Sequence, residues 1–236
     1  MNCFSVIIPT LQRSAELNQL VDQCVAHPRV QEVIVINNAP TPLAWTSPKV
    51  RVLQQEKNIF VNPAWNLGVE AANGEYVAIV NDDVLFSDEV FDYAARLLRL
   101  PFVGMVGPDG AFMNRPAVAL SHRIASEGHI TLGMGVFMAM RRKDYLPIPD
   151  TMKIWGGDDW LYWTQRMPSR VLLGGDFRTD MSTTSGAVEF SPRRESDLQA
   201  TQQALASVKG GRWWHAPIEG LARLRRVKGR LTHYRA

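Results

Sequence analysis

Three polar residues, Asn81, Asp82 and Asp83, directly follow a strongly apolar run in the segment VAIVNDDVLF, residues 77–86. Two adjacent carboxylates repel each other unless water or a cation lies between them. Carboxylate and amide oxygens are the ligands that Mg²⁺ and Mn²⁺ prefer, and such ions are often shared with substrate phosphates. On an extended chain Asn81 and Asp83 point the same way and Asp82 points aside. The same residues are also good turn formers, so a turn that caps the next helix is an equal alternative.

A second acidic pair, Asp158 and Asp159, lies in the segment WGGDDW, residues 155–160. The two preceding glycines allow a sharp turn or a close approach to a ligand. The segment reads as a loop that enters a short helix, so both acids would lie at a helix N-terminus, where the dipole stabilises their ionised forms. A carboxylate fixed in a cleft can accept the proton of a hydroxyl nucleophile. Plain N-capping by Asp158 is the alternative.

Alternating strands and helices in the first 100 residues position these groups. Apolar runs and helical spacing predict strands at 4–10, 32–38, 50–55 and 76–80 and helices at 14–27, 62–72 and 87–99. Nearly continuous apolar strands separated by helices indicate an α/β fold whose mostly parallel sheet is covered on both faces. Ligands bind beyond the carboxyl ends of such strands. We therefore expect Asn37–Asn38 and Asn81–Asp83 to face one cleft.

The second half of the chain is less regular. Its patterns predict strands at 103–108, 135–142 and 170–175 and helices at 156–166, 196–208 and 217–231. The last of these helices is basic and moderately amphipathic, with Ile218, Leu221, Leu224 and Val227 on one side.

Composition and charge indicate a globular domain with a basic tail. The 236 residues are 46% hydrophobic and 21% charged, and the two cysteines do not suggest a disulfide framework. No apolar run approaches the ~18 residues of a membrane helix, and the first residues do not resemble a secretory signal. These features predict a cytoplasmic protein. Residues 209–236 carry eight Lys or Arg and one Glu, so we expect a domain at 1–208 and a basic tail at 209–236.

The basic tail suggests an anionic partner, which is a membrane surface, a phosphate-bearing substrate or a nucleic acid. Its RWWH segment and the cations that follow resemble single-stranded nucleic-acid binders. The same segment could lie along an anionic membrane surface with its apolar side down, which would make the protein peripheral at the membrane. A basic helix that packs on the domain with its cations solvated is an equal alternative.

The order and spacing of these segments resemble the family-2 nucleotide-sugar glycosyltransferases, which have the GT-A fold. VIIPT resembles the opening strand of that family, and VIVINNAP resembles its second strand. The run NIFVNPAWNLGVEAANGEYVAIVNDDVLF resembles the family's Asn, helix, Gly-Glu and strand that ends in a D-x-D variant. WGGDDW resembles the acidic motif that supplies the catalytic base, including the Trp-Gly-Gly-Glu-Asp run of galactosyltransferases.

The resemblance implies inverting transfer of a sugar from a nucleotide-diphosphate donor, with UDP or dTDP sugars favoured, to a hydroxyl of a glycan or another acceptor. It implies Asp159 as the base, and Mn²⁺ or Mg²⁺ held by Asp83. Asn81 stands where the family has its first D-x-D acid and so carries one charge less, and Asp180 or Asp176 would replace a late histidine. The residues that the resemblance places around the nucleotide sugar are Pro9, Thr10, Arg13, Asn37, Asn38, Asn66, Asn81 and Asp82. Those that it places at the acceptor are Trp155, Gly156, Gly157 and Asp158, with residues 134–137 at the border.

Other classes fit the residues less well. A haloacid-dehalogenase-type phosphatase needs an acid as nucleophile near its first strand, but the corresponding residue is Asn81 on the fourth. A sugar nucleotidyltransferase has a glycine-rich phosphate loop after its first strand, and IIPTLQRS contains no glycine. A binding protein that uses the basic tail on a catalytically silent nucleotide-sugar fold is the alternative from a different class.

Overall fold

The computed structural model describes residues 3–116, 118–180 and 190–223. Its strands are β1 (Phe4–Thr10), β2 (Val30–Asn37), β3 (Val50–Gln54), β4 (Tyr76–Val80), β5 (Val84–Leu85), β6 (Val106–Pro108), β7 (Ser121–Ile124), β8 (Phe137–Arg141), β9 (Arg170–Leu173) and β10 (Arg178–Thr179). Its helices are α1 (Leu17–Ala26), α2 (Val61–Ala71), α3 (Glu89–Leu98), α4 (Glu127–Thr131), α5 (Gly157–Thr164) and α6 (Ser191–Ala206). Residues 215–223 are helical as well.

Eight strands form one sheet in the order β3-β2-β1-β4-β8-β6-β9-β7. Strands β1 to β4 run parallel, whereas β8 lies antiparallel between β4 and β6. Strands β5 and β10 form a separate antiparallel ribbon. The predicted fold class, a mostly parallel sheet flanked by helices, is confirmed.

Both faces of the sheet are buried, which explains why its strands are nearly continuously apolar. Within β1, Val6 and Ile8 belong to one core with α1 and α3. Ile7, which points to the opposite face, belongs to a second core with α2 and α5. Strands β1, β2, β4 and β8 therefore contribute alternate residues to two hydrophobic layers.

The carboxyl ends of β1, β2 and β4 meet at one edge of the sheet. Thr10, the last residue of β1, pairs with Asn37, the last residue of β2. Because β8 is antiparallel to β4, its first residue Phe137 pairs with Val80, where β4 ends. The short 3₁₀ turn Met134–Val136 before β8 therefore reaches the same edge.

Several element boundaries differ from the sequence prediction. Helix α1 begins at Leu17 rather than near Ser14, whose hydroxyl instead accepts the backbone N–H of Glu16 at 3.1 Å. Helix α6 begins at Ser191, five residues before the predicted start. The short elements β5, β7, β10 and α4 have no predicted counterpart, because two to five residues are too few for a periodic pattern.

The first part of the predicted tail belongs to the domain. Trp214 is 1% exposed, and its ring stacks on Trp163 with centroids 6.0 Å apart. Ile218 is also buried in the core, so the predicted boundary after residue 208 falls within packed structure. Trp213, in contrast, is 68% exposed. Residues 224–236, with Leu224, Val227 and most of the tail's cations, lie outside the described residues, and the anionic partner stays a prediction. No helix in the described ranges has the length and hydropathy to span a membrane.

Candidate active site

A cleft of about 720 Å³ lies at the carboxyl edge of the sheet. It brings together the two acidic segments, although they are more than 70 residues apart in the chain. The residues predicted for the site that line the cleft are Pro9, Thr10, Asn38, Asn81, Asp82, Asp83, Trp155, Gly156, Asp158 and Asp159. Gly133, Gly135 and Val136, from the predicted acceptor border and its flank, line it too.

Asn81, Asp82 and Asp83 occupy the connection between β4 and β5. The backbone N–H of Asn81 donates to the Val136 carbonyl at 3.0 Å, which ties this connection to the turn before β8. Residues 82–83 form a turn, so the alternation of an extended strand does not apply to them. All three residues line the cleft. Asp82 bonds to Thr10, and its direction relative to Asn81 and Asp83 stays a prediction.

Asp82 is held by the end of β1. The Thr10 hydroxyl donates to Asp82 Oδ2 at 2.5 Å and accepts the Gln12 backbone N–H at 2.8 Å. Burial raises the pKa of Asp82 to about 6, and the neighbouring Asp83 carboxylate adds to the increase, while the Thr10 hydrogen bond opposes it. Asp82 therefore changes charge close to neutral pH.

Asp83 and Asp180 lie next to the ends of two paired strands. Asp83 is 5% exposed and directly precedes β5, whose Val84 pairs with Thr179 of β10. Asp180 directly follows Thr179 and is exposed. Asp176, the other candidate in the sequence, binds the Arg178 guanidinium at 2.8 and 3.1 Å instead. Nowhere in the described residues are three His, Cys, Asp or Glu side chains grouped to hold a metal ion alone.

The second acidic pair lies at the start of α5, behind two glycines that the packing requires. Gly156 has φ of +77°, in the left-handed region that favours glycine. A Cβ on Gly157 would lie 2.1 Å from Asn62 Oδ1 on α2. Asn62 also donates to the carbonyls of Met152 and Trp155, at 3.2 and 3.4 Å. The WGG segment is thus specified by its close contact with α2.

Burial raises the pKa of both Asp158 and Asp159. Asp158 Oδ1 accepts the Asp159 backbone N–H at 3.0 Å, and its side chain lies against Gly135. The pKa of Asp159 reaches about 7, because burial, Asp158 and Glu127 raise it while Lys209 lowers it. A carboxylate with a pKa near 7 is a much stronger base than an ordinary aspartate, and about half of it is ionised at neutral pH.

Five residues predicted for the site do not line the cleft, and one of them is the exposed Asp180 described above. Asn37 is fully buried and bonds to Gln12, Ala39, Thr41 and Gln54, so its side chain holds the loop after β2 together. Asn66 joins α2 to the segment before α5 through Tyr145 and Ile148. Arg13 is exposed and stacks on Phe190 at the cleft margin, 5.8 Å from the ring centroid. Gly157 packs against Asn62 and Trp65 of α2.

The structure adds residues that sequence reasoning missed. Those from the start of α2 and its preceding loop are Asn58, Phe60, Val61 and Trp65, and those from α6 and its preceding residue are Phe190, Arg194 and Leu198. The positive φ of Phe60, +69°, is unusual for a residue with a side chain, and such strain often marks functional sites. No sequence signal identifies the α6 residues, since only the tertiary fold brings that helix to the cleft.

Comparisons with known proteins show what the chain is similar to. A family model described as glycosyl transferase family 2 matches residues 5–146, more than half of the chain. The match includes Thr10, Asn38 and Asn81–Asp83 and ends before the second acidic pair. The chain is 29% identical over 143 residues to an uncharacterized protein, y4gI, of Sinorhizobium fredii. That match covers 53% of this chain and only 16% of the relative's length.

Solved structures share the fold at low identity. The mannosyltransferase PcManGT of Pyrobaculum calidifontis, in complex with GDP-Man and Mn²⁺, superposes with a TM-score of 0.56 and 19% identity, covering 83% of this chain and 61% of that one. S. aureus TarS superposes with a TM-score of 0.56 and 18% identity, covering 76% of this chain and 37% of that one. The 1–349 fragment of TarS in complex with UDP superposes with a TM-score of 0.54 and 16% identity, covering 75% of this chain and 60% of that one. These similarities show the GT-A glycosyltransferase fold.

Proposed function

The chain belongs to glycosyl transferase family 2, and from that premise we propose that it transfers a sugar from a nucleotide-diphosphate donor to an acceptor hydroxyl, with inversion at the anomeric carbon. The observation that carries the proposal is the convergence of two acidic pairs, Asp82–Asp83 and Asp158–Asp159, on one cleft. One pair follows a parallel strand, where donors bind in such sheets. The other begins a helix on the opposite part of the chain and serves the acceptor.

The nucleotide sugar binds along the carboxyl ends of β1, β2 and β4. Pro9 and Thr10 line the cleft at the end of β1, and Asn38 lines it just after β2. Asn38 is fixed there by two bonds, from its own N–H to the Thr10 carbonyl at 2.9 Å and from the Ile59 N–H to its Oδ1 at 3.2 Å. This support favours Asn38, rather than Asn37, as the contact to the nucleoside.

Asp83 and Asn81, which line the cleft, would offer oxygen donors to a divalent cation, Mn²⁺ or Mg²⁺. Asp180, which follows the strand paired with β5, would be a third donor. Because no three acids or histidines in the described ranges form a complete site, the donor's diphosphate would provide further oxygen ligands, as is usual for Mg²⁺. When bound, the cation neutralises the charge that grows on the departing diphosphate. The buried position of Asp83 between Asp82 and β5 supports this assignment.

Asp159 is the proposed general base. Its ionised carboxylate takes the proton of the acceptor hydroxyl while the hydroxyl oxygen forms a bond to the anomeric carbon. The bond from that carbon to the diphosphate oxygen breaks, and its electron pair leaves with the nucleoside diphosphate. A single displacement of this kind inverts the anomeric centre and needs no enzyme nucleophile. Asp158 and Trp155, which line the same wall, orient the acceptor.

The fold does not determine the base and sugar of the donor, so they must be identified by measuring binding. Structures with this fold contain GDP-Man, UDP or UDP-GlcNAc, so both uridine and guanosine donors belong in the test. A thermal-shift panel of UDP, dTDP, GDP and CMP, each with and without Mn²⁺, measures the stabilisation that binding produces. We expect one nucleotide to raise the Tm, with a larger increase when Mn²⁺ is present.

Asp83→Ala tests the metal assignment in the same panel. The variant should lose the Mn²⁺-dependent part of the Tm increase and keep the metal-independent part. Asp150→Ala, which removes an exposed acid from a loop, is the matched control and should behave as the wild type. No Tm increase with any nucleotide, or an equal loss with and without Mn²⁺ in Asp83→Ala, would contradict the proposal.

A further inference from the structure

Asp197 on α6 binds the chain just before the second acidic pair. Its side chain is almost fully buried, at 1% exposure. One carboxylate oxygen, Oδ2, accepts three successive backbone N–H groups, those of Lys153, Ile154 and Trp155, at 3.1, 2.6 and 3.2 Å. Consecutive backbone N–H groups that converge on one point form a concave anion site, here filled by a side chain of the same protein.

Thr201, one turn further along α6, contacts the next residue of the loop. Its hydroxyl donates to the Asp197 carbonyl at 2.7 Å, which fixes the Thr201 side chain. A Cβ on Gly156 would lie 2.0 Å from Thr201 Oγ1, so only glycine allows the loop to rest against this helix. Asp197 and Thr201 together thus hold residues 153–156, which lead directly into Asp158.

The buried side of α6 is unusual for a packing helix. Its buried residues are Asp197, Thr201 and Leu205, spaced four apart on one stripe. A helix that only covers a core would bury an apolar stripe. Here two of the three buried residues are polar, and both face the loop before α5. Burying a carboxylate is costly unless charged hydrogen bonds satisfy it, so the three N–H bonds account for its presence.

Residues 153–156 have no regular secondary structure that would otherwise fix their backbone. The backbone amides of residues 153–155 instead bond to the Asp197 carboxylate, and the course of the loop depends on these bonds. The same helix also lines the cleft through Arg194 and Leu198. Helix α6 is thus in contact with both the cleft and the loop that carries the proposed base.

We propose that Asp197 is a positioning residue, which fixes the 153–156 loop so that Asp159 meets the acceptor hydroxyl in the geometry that proton transfer requires. Only the effect on catalysis rests on the proposed function, because the hydrogen bonds between Asp197 and the loop are a property of the free protein. A misplacement of about 1 Å in a reacting group can lower a rate about a hundredfold.

Hydrogen–deuterium exchange of the free protein tests whether Asp197 holds the loop, without any substrate. Asp197→Asn retains the shape and one acceptor oxygen but removes the charge, and Asp197→Ala removes the acceptor altogether. We expect faster exchange at residues 153–159 in both variants, with the larger increase in Asp197→Ala, and wild-type exchange in β1, β2 and β4. Glu195→Gln, an exposed acid on the same helix, is the matched control and should exchange as the wild type.

Donor turnover tests the consequence, with the nucleotide sugar whose nucleotide gives the largest thermal shift. We expect kcat to fall about a hundredfold in Asp197→Ala and less in Asp197→Asn, with the donor KM unchanged. A residue that only stabilises the fold would not separate kcat from the donor KM in this way.

The outcomes separate this proposal from the proposed function. Unchanged exchange at 153–159, or faster exchange throughout the domain, would overturn the positioning role. Faster local exchange with unchanged kcat would overturn its catalytic consequence. Faster local exchange in a protein whose wild type turns over no nucleotide sugar would support the hold of Asp197 on the loop and contradict the glycosyltransferase assignment alone.

Discussion

Thr10 and Asp82, 72 residues apart in the chain, share a 2.5 Å hydrogen bond at the cleft, in which the Thr10 hydroxyl donates to Asp82 Oδ2. The bond joins the end of β1 to the turn after β4, the two places where the donor is proposed to bind. Because the same hydroxyl accepts the Gln12 N–H, its proton is directed toward the carboxylate. The bond therefore favours the ionised form of Asp82 against the burial that opposes it.

This relationship predicts a pH dependence of nucleotide binding. In the presence of Mn²⁺, nucleotide affinity of the wild type should fall as the pH falls through about 6, because Asp82 gains a proton there and the cleft loses a negative charge that attracts the cation. Thr10→Val removes the bond that lowers the pKa of Asp82, so the fall should begin at a higher pH. At pH 6 we expect affinity to be lower about fivefold, equivalent to about 1 kcal/mol. Isothermal titration calorimetry between pH 5 and 8 measures the effect, and Thr10→Ser, which keeps the hydroxyl, is the control. Superposed curves for wild type and Thr10→Val would count against this role for the bond.

The second acidic pair predicts that the fold becomes less stable as the pH rises. The folded state raises the pKa of Asp159 from the ordinary value near 3.8 to about 7 and raises that of Asp158 as well. Between these pH values the unfolded chain binds fewer protons than the folded one, so the free energy of unfolding falls as pH increases. Asp158→Asn removes one of the two charges and keeps the oxygen that accepts the Asp159 N–H.

Thermal unfolding of Asp158→Asn should therefore give a higher Tm than the wild type at pH 8, by about 2–4 °C for about 1 kcal/mol. At pH 4 the two proteins should be nearly equal. Asp150→Asn, an exposed acid outside the cleft, should leave the Tm unchanged at both pH values. A Tm increase of the same size at pH 4 and 8 would show that charge is not its cause.

Lys209 predicts a shift in the pH profile of transfer. Its ammonium group bonds Glu127 at 2.5 Å and lies 4.7 Å from the centroid of the Trp163 ring. It lowers the pKa of Asp159, whereas Glu127 raises it. Lys209→Gln removes the cation and leaves the Glu127 charge without its partner, so the pKa of the base should rise. The rate of transfer should then rise with pH at a higher pH than in the wild type, where the rise is expected around pH 7.

The kcat profile between pH 5.5 and 9 measures this shift. Arg212→Gln, which removes an exposed cation three residues away, should keep the wild-type profile. If both variants shift the profile equally, the net charge of the segment and not the contact of Lys209 is responsible.

The long elements of the fold could be predicted from the sequence, since their patterns are local. The buried strands β1, β2 and β4 are continuous apolar runs, and α2 and α3 have helical spacing, so burial on two faces is visible in the residues themselves. Strand β10 and helix α4 span two and five residues, and their pairing or packing is set by distant partners. The same limit applies to Trp214, whose burial depends on Trp163, about 50 residues earlier.

The candidate site could be predicted where its residues follow strands. The parallel sheet brings strand ends to one edge, so a common cleft for Asn38 and Asn81–Asp83 was predictable from the order of the strands, whereas Thr10 was implied by the resemblance to the family. Asn37 was not separable from Asn38, because both are asparagines at the end of one strand and only the loop after β2 decides which one is used structurally. The part of the cleft contributed by α6 depends on how that helix folds back, which no local pattern indicates.

The separation of roles between the two acidic pairs is tested most directly by Asp159→Asn. Transfer should be measured with the donor identified by thermal shift, beside nucleotide affinity under the same conditions. We predict that transfer falls by at least about a hundredfold, the usual contribution of a general base, while nucleotide affinity stays within about twofold. Transfer at the wild-type rate, or an equal loss of transfer and nucleotide binding, would contradict Asp159 as the base.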